Sequence, residues 1–487
     1  MSAHSSSMSH APMSRVRGQA LIAALLLVTV LAAGTLLANG DLRARAEAVA
    51  HARSLEALAQ ARSALIGYAI SYEERHPGEG YGFLPCPDSG NDGSTPIGAC
   101  GARGVAAIGR LPWRTLGLPD LRDGWGECLW YAVAGSAKHN PKPLTHNWDS
   151  PGQFELLGAD GNHLPVAAPD GRALAVVFAP GPALDGQIRP PGRPFGCSGS
   201  DSAAADISQY LDESYPPGAT GPVQIAQAAL QPGEASTAND LTTWIGTDEL
   251  FDALRQRHDY AAYVGAVIDR AAAALSARLA SGGADWLANH AVTTGSLAIG
   301  TLPAAEALGV PAGERTAIDL WRDQMRFAAC PDGDACIAVS RSDPPRIEHC
   351  SAVLAFGGER QRSGPTRQDR ITPAQRAEVA QFFEGINAVN LVTGEPAFAG
   401  TARFATPDRD QPATADVIRC LPRIGAMRRE DRRKVKALRR LRPPQVAPRH
   451  GLGDGLSSIH ALQRIGQGNA EDGAVDPVGR DGGQAGV

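Results

Sequence analysis

The sequence lacks the motifs by which many enzymes are identified. It contains no Gly-x-Ser-x-Gly, no His-Glu-x-x-His and no P-loop, so it gives no support for a serine hydrolase, a zinc protease or a nucleoside triphosphatase. None of its eight cysteines lies in a Cys-x-x-Cys pair, which removes the usual support for a zinc ribbon or a thioredoxin-like site. The formal net charge is -5, and this modest value does not indicate a nucleic-acid-binding protein.

Aromatic residues are scarce, whereas glycine and proline are abundant. Only 5% of the 487 residues are aromatic, but the chain contains 55 Gly and 36 Pro, and 43% of its residues are hydrophobic. This composition predicts two or three packed units with many loops rather than a helical bundle.

The cysteines indicate an oxidising compartment, because an even number spread along a chain is typical of exported proteins with disulfides. A set of free, buried thiols is the alternative. Pairing the cysteines with the shortest separations first, and then the remainder, gives these expected bridges: Cys86–Cys100, Cys330–Cys336, Cys128–Cys197 and Cys350–Cys420.

The N-terminus combines a polar leader with a long apolar run. Residues 1–18 are polar and Ser-rich, and residues 20–38 contain no charged side chain. A helix of that length covers the roughly 30 Å hydrocarbon core of a bilayer. A cleaved secretory signal has a shorter apolar region and a small residue where Leu36 stands. The run therefore predicts a retained, single-pass membrane helix.

Charge around the run gives little information on orientation. Arg15 and Arg17 precede it, but Arg43 and Arg45 follow it closely, so the positive-inside bias is weak. The cysteines favour a head outside the cytoplasm, and we expect an inner-membrane protein with a periplasmic head.

The apolar run continues directly into residues 41–75, which are rich in Ala, Leu, Arg and Glu. Leu55, Leu58, Leu65 and Ala69 recur there at heptad-like spacing, which predicts an amphipathic helix. We therefore expect one helix of fifty-odd residues, half in lipid and half outside.

Residues 17–22 (RGQALI), followed by the apolar run, resemble the processing site of type IV prepilins. The resemblance implies cleavage by a prepilin peptidase after Gly18, so that Gln19 becomes the new, methylated N-terminus. The fifth mature position is Ala23, where most pilins carry Glu. Since an unpaired charge is costly in the membrane, that Glu is thought to neutralise the terminal amine of a neighbour. Its absence resembles the large minor pseudopilin at the tip of type II secretion pseudopili.

A second resemblance covers the region after the helix. Residues 123–131 (DGWGECLWY) resemble the segment that enters the sheet of major pseudopilins, and residues 205–207 (ADI) resemble the segment beyond the pseudopilin calcium loop. Between them, residues 175–181 (AVVFAPG) predict a buried strand that is ended by turn residues.

The same order of elements recurs later in the chain. Residues 319–321 precede residues 327–328 with the same spacing that separates residues 123–125 from residues 131–132. Further along, residues 352–358 correspond to residues 175–181, and residues 378–382 correspond to residues 206–210. This order indicates a diverged internal duplication. Residues 247–280 predict helix between the two copies, with apolar positions Leu250, Phe251, Leu254, Val264, Val267, Ile268 and Leu275.

Two local features complete the organisation. Residues 372–375 (TPAQ) predict a helix start with a capping box. Ten arginines and lysines crowd the stretch after Cys420, which predicts a basic, disordered tail; a basic arm that binds anionic lipid is the alternative.

The expected fold is α+β, with a long N-terminal helix, two tandem pilin-like antiparallel-sheet heads and a helical connector. The expected units are a leader (1–18), the membrane and extended helix (19–75), a first head (76–246), a connector (247–313), a second head (314–422) and the tail (423–487).

Calcium is the expected metal, at either of two loops. Asp88 and Asp92 partly follow the spacing of an Asp-rich calcium loop, although an ordinary turn explains the same residues. The pseudopilin resemblance implies a second set, Asp185, Asp201 and Asp206, in which the metal would tie an irregular loop to the sheet.

Catalytic groups are few. Asp123, Glu127 and Asp149 could act as the paired carboxylates of a glycosidase-like site, but sets of this kind occur in most chains of this length. We therefore expect a non-enzymatic subunit that binds other pilins or pseudopilins through its helix, the prepilin peptidase and inner-membrane lipid. The alternatives are a membrane-anchored extracytoplasmic enzyme or binding protein with an uncleaved anchor, and an uncut calcium-dependent adhesin.

Overall fold

Long helices packed on antiparallel sheets organise the described part of the chain. The computed structural model describes residues 15–190, 197–212, 215, 218–227, 238–342, 344–405 and 416–422, and of residues 15–21 and 31–41 it describes the backbone alone. The predicted tail after residue 422 and most of the predicted leader lie outside these residues. All described residues belong to one compact unit, Met1–Arg428.

The helices alternate with strands along the chain. The α-helices among the described residues are α1 (Arg15–Ile70), α2 (Tyr72–Arg75), α3 (Ala203–Tyr210), α4 (Thr247–Arg255), α5 (Tyr260–His290), α6 (Arg315–Asp319), α7 (Pro373–Ala377) and α8 (Gly385–Thr393).

The strands fall into three sheets. They are β1 (Ala107–Arg110), β2 (Trp130–Val133), β3 (Phe154–Leu157), β4 (Ala173–Ala179), β5 (Val223–Ala226), β6 (Leu241–Gly246), β7 (Val292–Thr294), β8 (Leu297–Thr301), β9 (Met325–Ala329), β10 (Ile337–Ser342), β11 (Pro345–Cys350), β12 (Ala352–Phe356), β13 (Ala397–Ala399) and β14 (Val417–Leu421). The mixed α+β class with several antiparallel sheets is therefore as expected.

Helix α1 is continuous over 56 residues, which confirms the prediction of one helix of fifty-odd residues. One face of its second half is buried against the first sheet, through the side chains of Ala57, Leu58, Leu65 and Ala69. These positions recur every three to four residues, as a helix with one buried face requires. Leu55 is 57% exposed, so its assignment to the buried face was wrong; it lies at the flank of that face.

The first sheet has the order β1-β2-β4-β3-β5, and β6 also pairs with β4. Strand β4 is the predicted buried strand, and all seven of its residues are buried. Helix α1 covers β4 and β6, so the strand is enclosed by apolar side chains. Gly181 follows it with a φ of 65°, the left-handed conformation that glycine adopts without strain.

The second sheet has the order β14-β12-β9-β8-β7 and is antiparallel throughout. Alternate residues of β9, β12 and β14 belong to two separate apolar clusters, so the sheet is buried on both faces. Helix α5 packs on β8, β12 and β14. A smaller sheet, β11-β10-β13, adjoins this region.

The two sheets share an arrangement at the repeated segments. Tyr131 of β2 pairs with Val177 of β4, and Phe327 of β9 pairs with Leu354 of β12. The central strands β4 and β12 are each flanked on the other side by a later antiparallel strand, β6 or β14. The matched strand segments therefore adopt the same strand order and the same pairing register, whereas residues 206–210 lie in α3 and residues 379–381 form a single 3-10 turn.

Residues 247–280 are helical as predicted, in α4 and α5, except for residues 256–259 between the two helices. All seven apolar positions named for this stretch are buried. The predicted connector (247–313) also contains β7 and β8, which belong to the second sheet. The capping box is present at α7: Thr372 accepts a hydrogen bond from the backbone of Gln375, and the Gln375 side chain accepts one in return.

Four disulfides cross-link the chain, and they join the expected cysteines: Cys86–Cys100, Cys128–Cys197, Cys330–Cys336 and Cys350–Cys420. Two of them close loops of about seventy residues, and long closed loops reduce the entropy of the unfolded chain most.

Candidate assembly interface and the predicted sites

Residues 22–30 of α1 present an apolar surface that no other described part of the chain covers. Residues 22–30 (IAALLLVTV) are all exposed and uncharged. The one hydroxyl among them, on Thr29, donates to the carbonyl oxygen of Leu26 at 2.9 Å, so the segment presents no unpaired polar side chain. A continuous apolar surface of this kind is typical of a contact with a protein partner or with lipid.

Further apolar side chains follow along α1. Leu42 is 63% exposed and Val49 is 51% exposed, and their separation of seven residues places them on the same side of the helix. Arg43 and Glu47 form a nearby i,i+4 ion pair at 3.0 Å. No helix in the part of the chain that the structure describes is both long enough and apolar enough to cross a membrane.

The predicted processing residues Gly18 and Gln19 lie in the first turns of α1, where only the backbone is described. Most of the predicted membrane span, including residues 31–38, has side chains that lie outside the described residues.

The Asp-Gly-Trp-Gly segment crosses α1 where the helix reaches the first sheet. The backbone N–H of Gly124 donates to Ser54 Oγ at 2.9 Å, and Ser54 Oγ donates to the carbonyl of Ala50. A Cβ atom on Gly124 would lie 1.9 Å from the Ala50 carbonyl oxygen. Glycine is therefore required, because any side chain would push the loop away from the helix.

Asp123 holds that crossing loop in shape. Its Oδ1 accepts hydrogen bonds from the N–H groups of Trp125 and Glu127, and its Oδ2 accepts one from Gly181 at the end of β4. Burial raises the pKa of the Asp123 carboxyl, and the backbone hydrogen bonds oppose this increase. Both oxygens are thus used to connect the loop to the sheet.

The other two carboxylates of the predicted glycosidase-like set lie in different networks. Glu127 accepts a hydrogen bond from the Ser198 hydroxyl at 2.7 Å. Asp149 is buried with Arg370, whose guanidinium lies 3.0 Å from Asp149 Oδ2. The structure gives the three side chains separate structural partners rather than one shared site.

The first predicted calcium loop is held together by its own backbone. Asp88 is buried and accepts hydrogen bonds from the N–H groups of Gly90 and Gly93 at 2.9 and 2.8 Å. Asp92 accepts one from Ser94. This is the arrangement of an Asx-stabilised turn.

The structure brings the second predicted loop against the first. The side chain of Asn91 bonds to both backbone groups of Cys197, which lies between the predicted ligands Asp185 and Asp201, both exposed. The third predicted ligand, Asp206, forms a 2.6 Å ion pair with Arg110. An arginine that no sequence motif singled out thus supplies positive charge between these loops.

Arg110 is almost completely buried, at 1% exposed, and it also donates to the Ser198 carbonyl. Its guanidinium lies over the ring of Trp130 at 5.1 Å. Within the described residues no group of three or more His, Cys, Asp or Glu side chains is arranged to hold a metal ion. Calcium binding stays a prediction.

A buried polar network connects the first part of the chain to the second. Asp149 Oδ2 accepts hydrogen bonds from Arg370 and from Gln324 at 3.0 and 2.8 Å. Arg360 Nη2 donates to both carboxylate oxygens of Asp248, at 2.7 and 2.8 Å. The donors come from segments that flank strands of the second sheet, whereas Asp149 lies in the loop before β3 and Asp248 lies in the first turn of α4. Sequence inspection missed this network, because its members are far apart in the chain.

Comparison of the chain with protein-family models, with curated proteins and with solved structures finds no match.

Proposed function

We propose that the chain is a non-enzymatic, pilin-like or minor pseudopilin-like subunit of a type IV pilus or type II secretion apparatus. Its N-terminal helix anchors it in the inner membrane, and its folded part lies in the periplasm. One observation carries this proposal: α1 is a single helix whose second half is part of a folded core, while residues 22–30 of its first half are exposed and apolar. The RGQALI motif at residues 17–22 supports it independently.

The finer fold assignment belongs to the same proposal. The sheets around β4 and β12 represent two pilin-like heads, each formed by a long helix packed on a mainly antiparallel sheet. The strand pairs Tyr131–Val177 and Phe327–Leu354 have the same register, which supports an origin of the two heads by duplication. The second head is covered by α5, which begins at Tyr260 and has no apolar extension comparable to that of α1.

Assembly is the proposed mechanism. The membrane stores the subunit, and removal of the leader after Gly18 frees the new N-terminus. The apolar first half of α1 then packs against the helices of neighbouring pilins or pseudopilins. The six large exposed side chains of residues 22–30 lie in lipid before assembly, so close packing between helices, rather than transfer from water, stabilises the contact. These side chains are Ile22, Leu25, Leu26, Leu27, Val28 and Val30.

The position within the filament is minor or terminal. Ala23 replaces the acid that most pilins use to neutralise a neighbour, and a double head would crowd a helical lattice. If the protein proved to be the dominant repeated component of purified filaments, this position would be wrong.

The test is the N-terminal peptide of the mature protein, measured by mass spectrometry in cells with and without an active prepilin peptidase. We expect a methylated peptide that begins at Gln19 in the first strain and an intact leader in the second. Gly18→Leu should leave the leader intact in both strains. Ser14→Leu, a change of similar size outside the cleavage site, is the matched control and should be processed normally.

An intact leader in both strains would contradict the proposal and would favour a simple anchored protein. A peptide that begins near Asn39 in both strains would identify a signal-peptidase product instead. Either result would favour the extracytoplasmic enzyme or binding protein considered above.

A further inference from the structure

Strand β11 forms an open edge of the smallest sheet, whose order is β11-β10-β13. The opposite edge is covered, because Asn387 and Asn390 of α8 bond to the backbone of β13. No other strand in the described part of the chain pairs with the outer side of β11, and Ile347 at its centre is 65% exposed. An edge that is neither covered nor paired offers its backbone donors and acceptors to another strand.

The backbone groups that β11 offers at this edge are those of Ile347 and His349. In β10, the N–H of Ala338 and the carbonyl of Ser340 bond to the segment that contains β13. Because the N–H and C=O of one residue point to the same side of a strand and successive residues alternate, the other residues of β10 bond to β11. Their partners are the even-numbered residues of β11, so the odd-numbered residues face outwards.

A second copy of β11 fits this edge in one antiparallel register. When Ile347 lies opposite Ile347 of the second copy, each Arg346 lies opposite the Glu348 of the other strand, and opposite charges in such positions stabilise a strand pair. The outward backbone groups also meet, since the N–H of His349 reaches the carbonyl of Pro345 of the other strand. A shift by two residues, which keeps these groups aligned, places Arg346 against Arg346 or Glu348 against Glu348.

The charged groups of this edge are already ordered within one copy. Arg341 of β10, whose side chain is 4% exposed, holds one carboxylate oxygen of Glu348 at 2.7 Å. Arg346, whose side chain is 52% exposed, contacts the other oxygen at 2.6 Å. Because the carboxylate is held in place before a partner strand arrives, less side-chain entropy is lost on association.

We propose that β11 pairs with β11 of a second copy of this chain, antiparallel and centred on Ile347. The pairing joins the two three-stranded sheets into one continuous sheet across a twofold axis. The strand is short, and Pro345 near its start has no N–H to donate, so the contact belongs to the small, transient class. This inference does not rest on the proposed pilin-like function.

The test is sedimentation velocity of the full chain in detergent over a series of protein concentrations, where we expect a monomer–dimer equilibrium. Arg346→Glu places carboxylates opposite each other and should weaken dimerisation at least about tenfold. Glu348→Arg places guanidinium groups opposite each other and should have the same effect. A mixture of the two variants should dimerise again, because each strand then faces its complement.

A second variant keeps the test independent of the ion pair between Arg341 and Glu348. Ile347→Pro removes an N–H that points away from the sheet, and proline is tolerated at such edge positions. It should abolish dimerisation and leave cooperative thermal unfolding in place. The matched control is Arg367→Glu, at a side chain that is 59% exposed and lies outside β11; its dimerisation constant should stay within about twofold of that of the unmodified chain.

Three results would overturn the proposal. The first is a monomer at every concentration of the unmodified chain. The second is a dimer that persists in both Arg346→Glu and Ile347→Pro, which would assign self-association to another surface such as residues 22–30 of α1. The third is equal weakening by Arg346→Glu and Arg367→Glu, because dimerisation would then depend on net charge alone.

Discussion

Arg370 and Asp149 are separated by 221 residues in the chain, yet their side chains form a completely buried ion pair. The guanidinium lies 3.0 Å from Asp149 Oδ2, and the two side chains are 0% and 1% exposed. Arg370 also donates to Gln324 and to the carbonyl of Gly358. The pair therefore joins the loop before β3 to the loops around the second sheet.

Arg370→Met should strongly destabilise the protein. Removal of the guanidinium leaves the Asp149 charge buried without its nearest cation, and breaking a buried pair on one side costs about 3 to 5 kcal/mol. The free energy of unfolding, measured by urea titration, should decrease by that amount. The control is Arg367→Met, which removes an exposed arginine paired with Asp369 and should cost less than about 1 kcal/mol. Similar losses in both variants would mean that the buried pair does not stabilise the fold.

Gly124→Ala should loosen the attachment of α1 to the loop that leads into the first sheet. The added methyl group would lie 1.9 Å from the Ala50 carbonyl oxygen, so the loop or the helix must move, and we expect a loss of about 3 kcal/mol or more. Gly90→Ala is the matched control, since a Cβ there meets nothing within 4 Å. Thermal unfolding of both variants checks the prediction, and an unchanged melting temperature for Gly124→Ala would contradict the close crossing.

His146 should make the fold sensitive to acid. It is buried, and burial lowers its pKa from 6.5 to about 4. The unfolded state therefore binds the proton first, and stability that is present above pH 6.5 decreases as the pH falls towards 4, by about 3 kcal/mol. His146→Phe keeps a ring against Phe83 and should reduce this decrease. Urea titrations at several pH values test it, with exposed His163→Phe as the control; equal pH dependence in all three proteins would refute the assignment.

Asp416 should make the fold less stable at high pH, whereas His146 makes it less stable at low pH. Burial, together with the charge of Glu384, raises the pKa of its carboxyl from 3.8 to about 8. The folded state holds the proton more tightly, so its stabilising contribution is complete below pH 3.8 and is lost as the pH rises through about 8. Asp416→Asn should therefore be more stable than the unmodified protein at pH 8, by at least about 2 kcal/mol, and nearly equal to it at pH 4.

The measurement is the melting temperature of the Asp416→Asn variant across that pH range. The amide oxygen of the substituted side chain can still accept the hydrogen bonds that Asn387 and the Glu384 backbone donate to Asp416. Glu395→Gln, at an exposed position, is the control and should not change the profile. A variant that is less stable at pH 8 would show that the carboxylate is needed there in its charged form.

Much of the local structure follows from short patterns. Helix α1, strand β4, the helices between residues 247 and 280 and the cap at Thr372 were each predicted from residues that lie close together in the chain. Such signals are readable because hydrophobic period and capping residues act over one or two turns. The pairing of the cysteines followed from their separations, and the structure contains those four disulfides.

The predicted carboxylate sites depended on long-range contacts and could not be judged in the same way. Asp206 was selected as a metal ligand, but its partner is Arg110, 96 residues earlier. Asp149 was selected as a catalytic carboxylate, but it lies in a network with Arg370 and Gln324. A sequence pattern records which side chains carry charge and does not record which opposite charge the fold places beside them.

The amino-acid sequence by itself therefore determined the helices, the central strands and the repeated order of segments, because these depend on interactions between neighbouring residues. The tertiary structure alone decided that Tyr131–Val177 and Phe327–Leu354 share one register, that Gly124 lies against Ala50, and that Arg370 is buried beside Asp149. Each of these features joins segments that are distant in the chain, and their approach is set by how apolar faces and buried charges pack together.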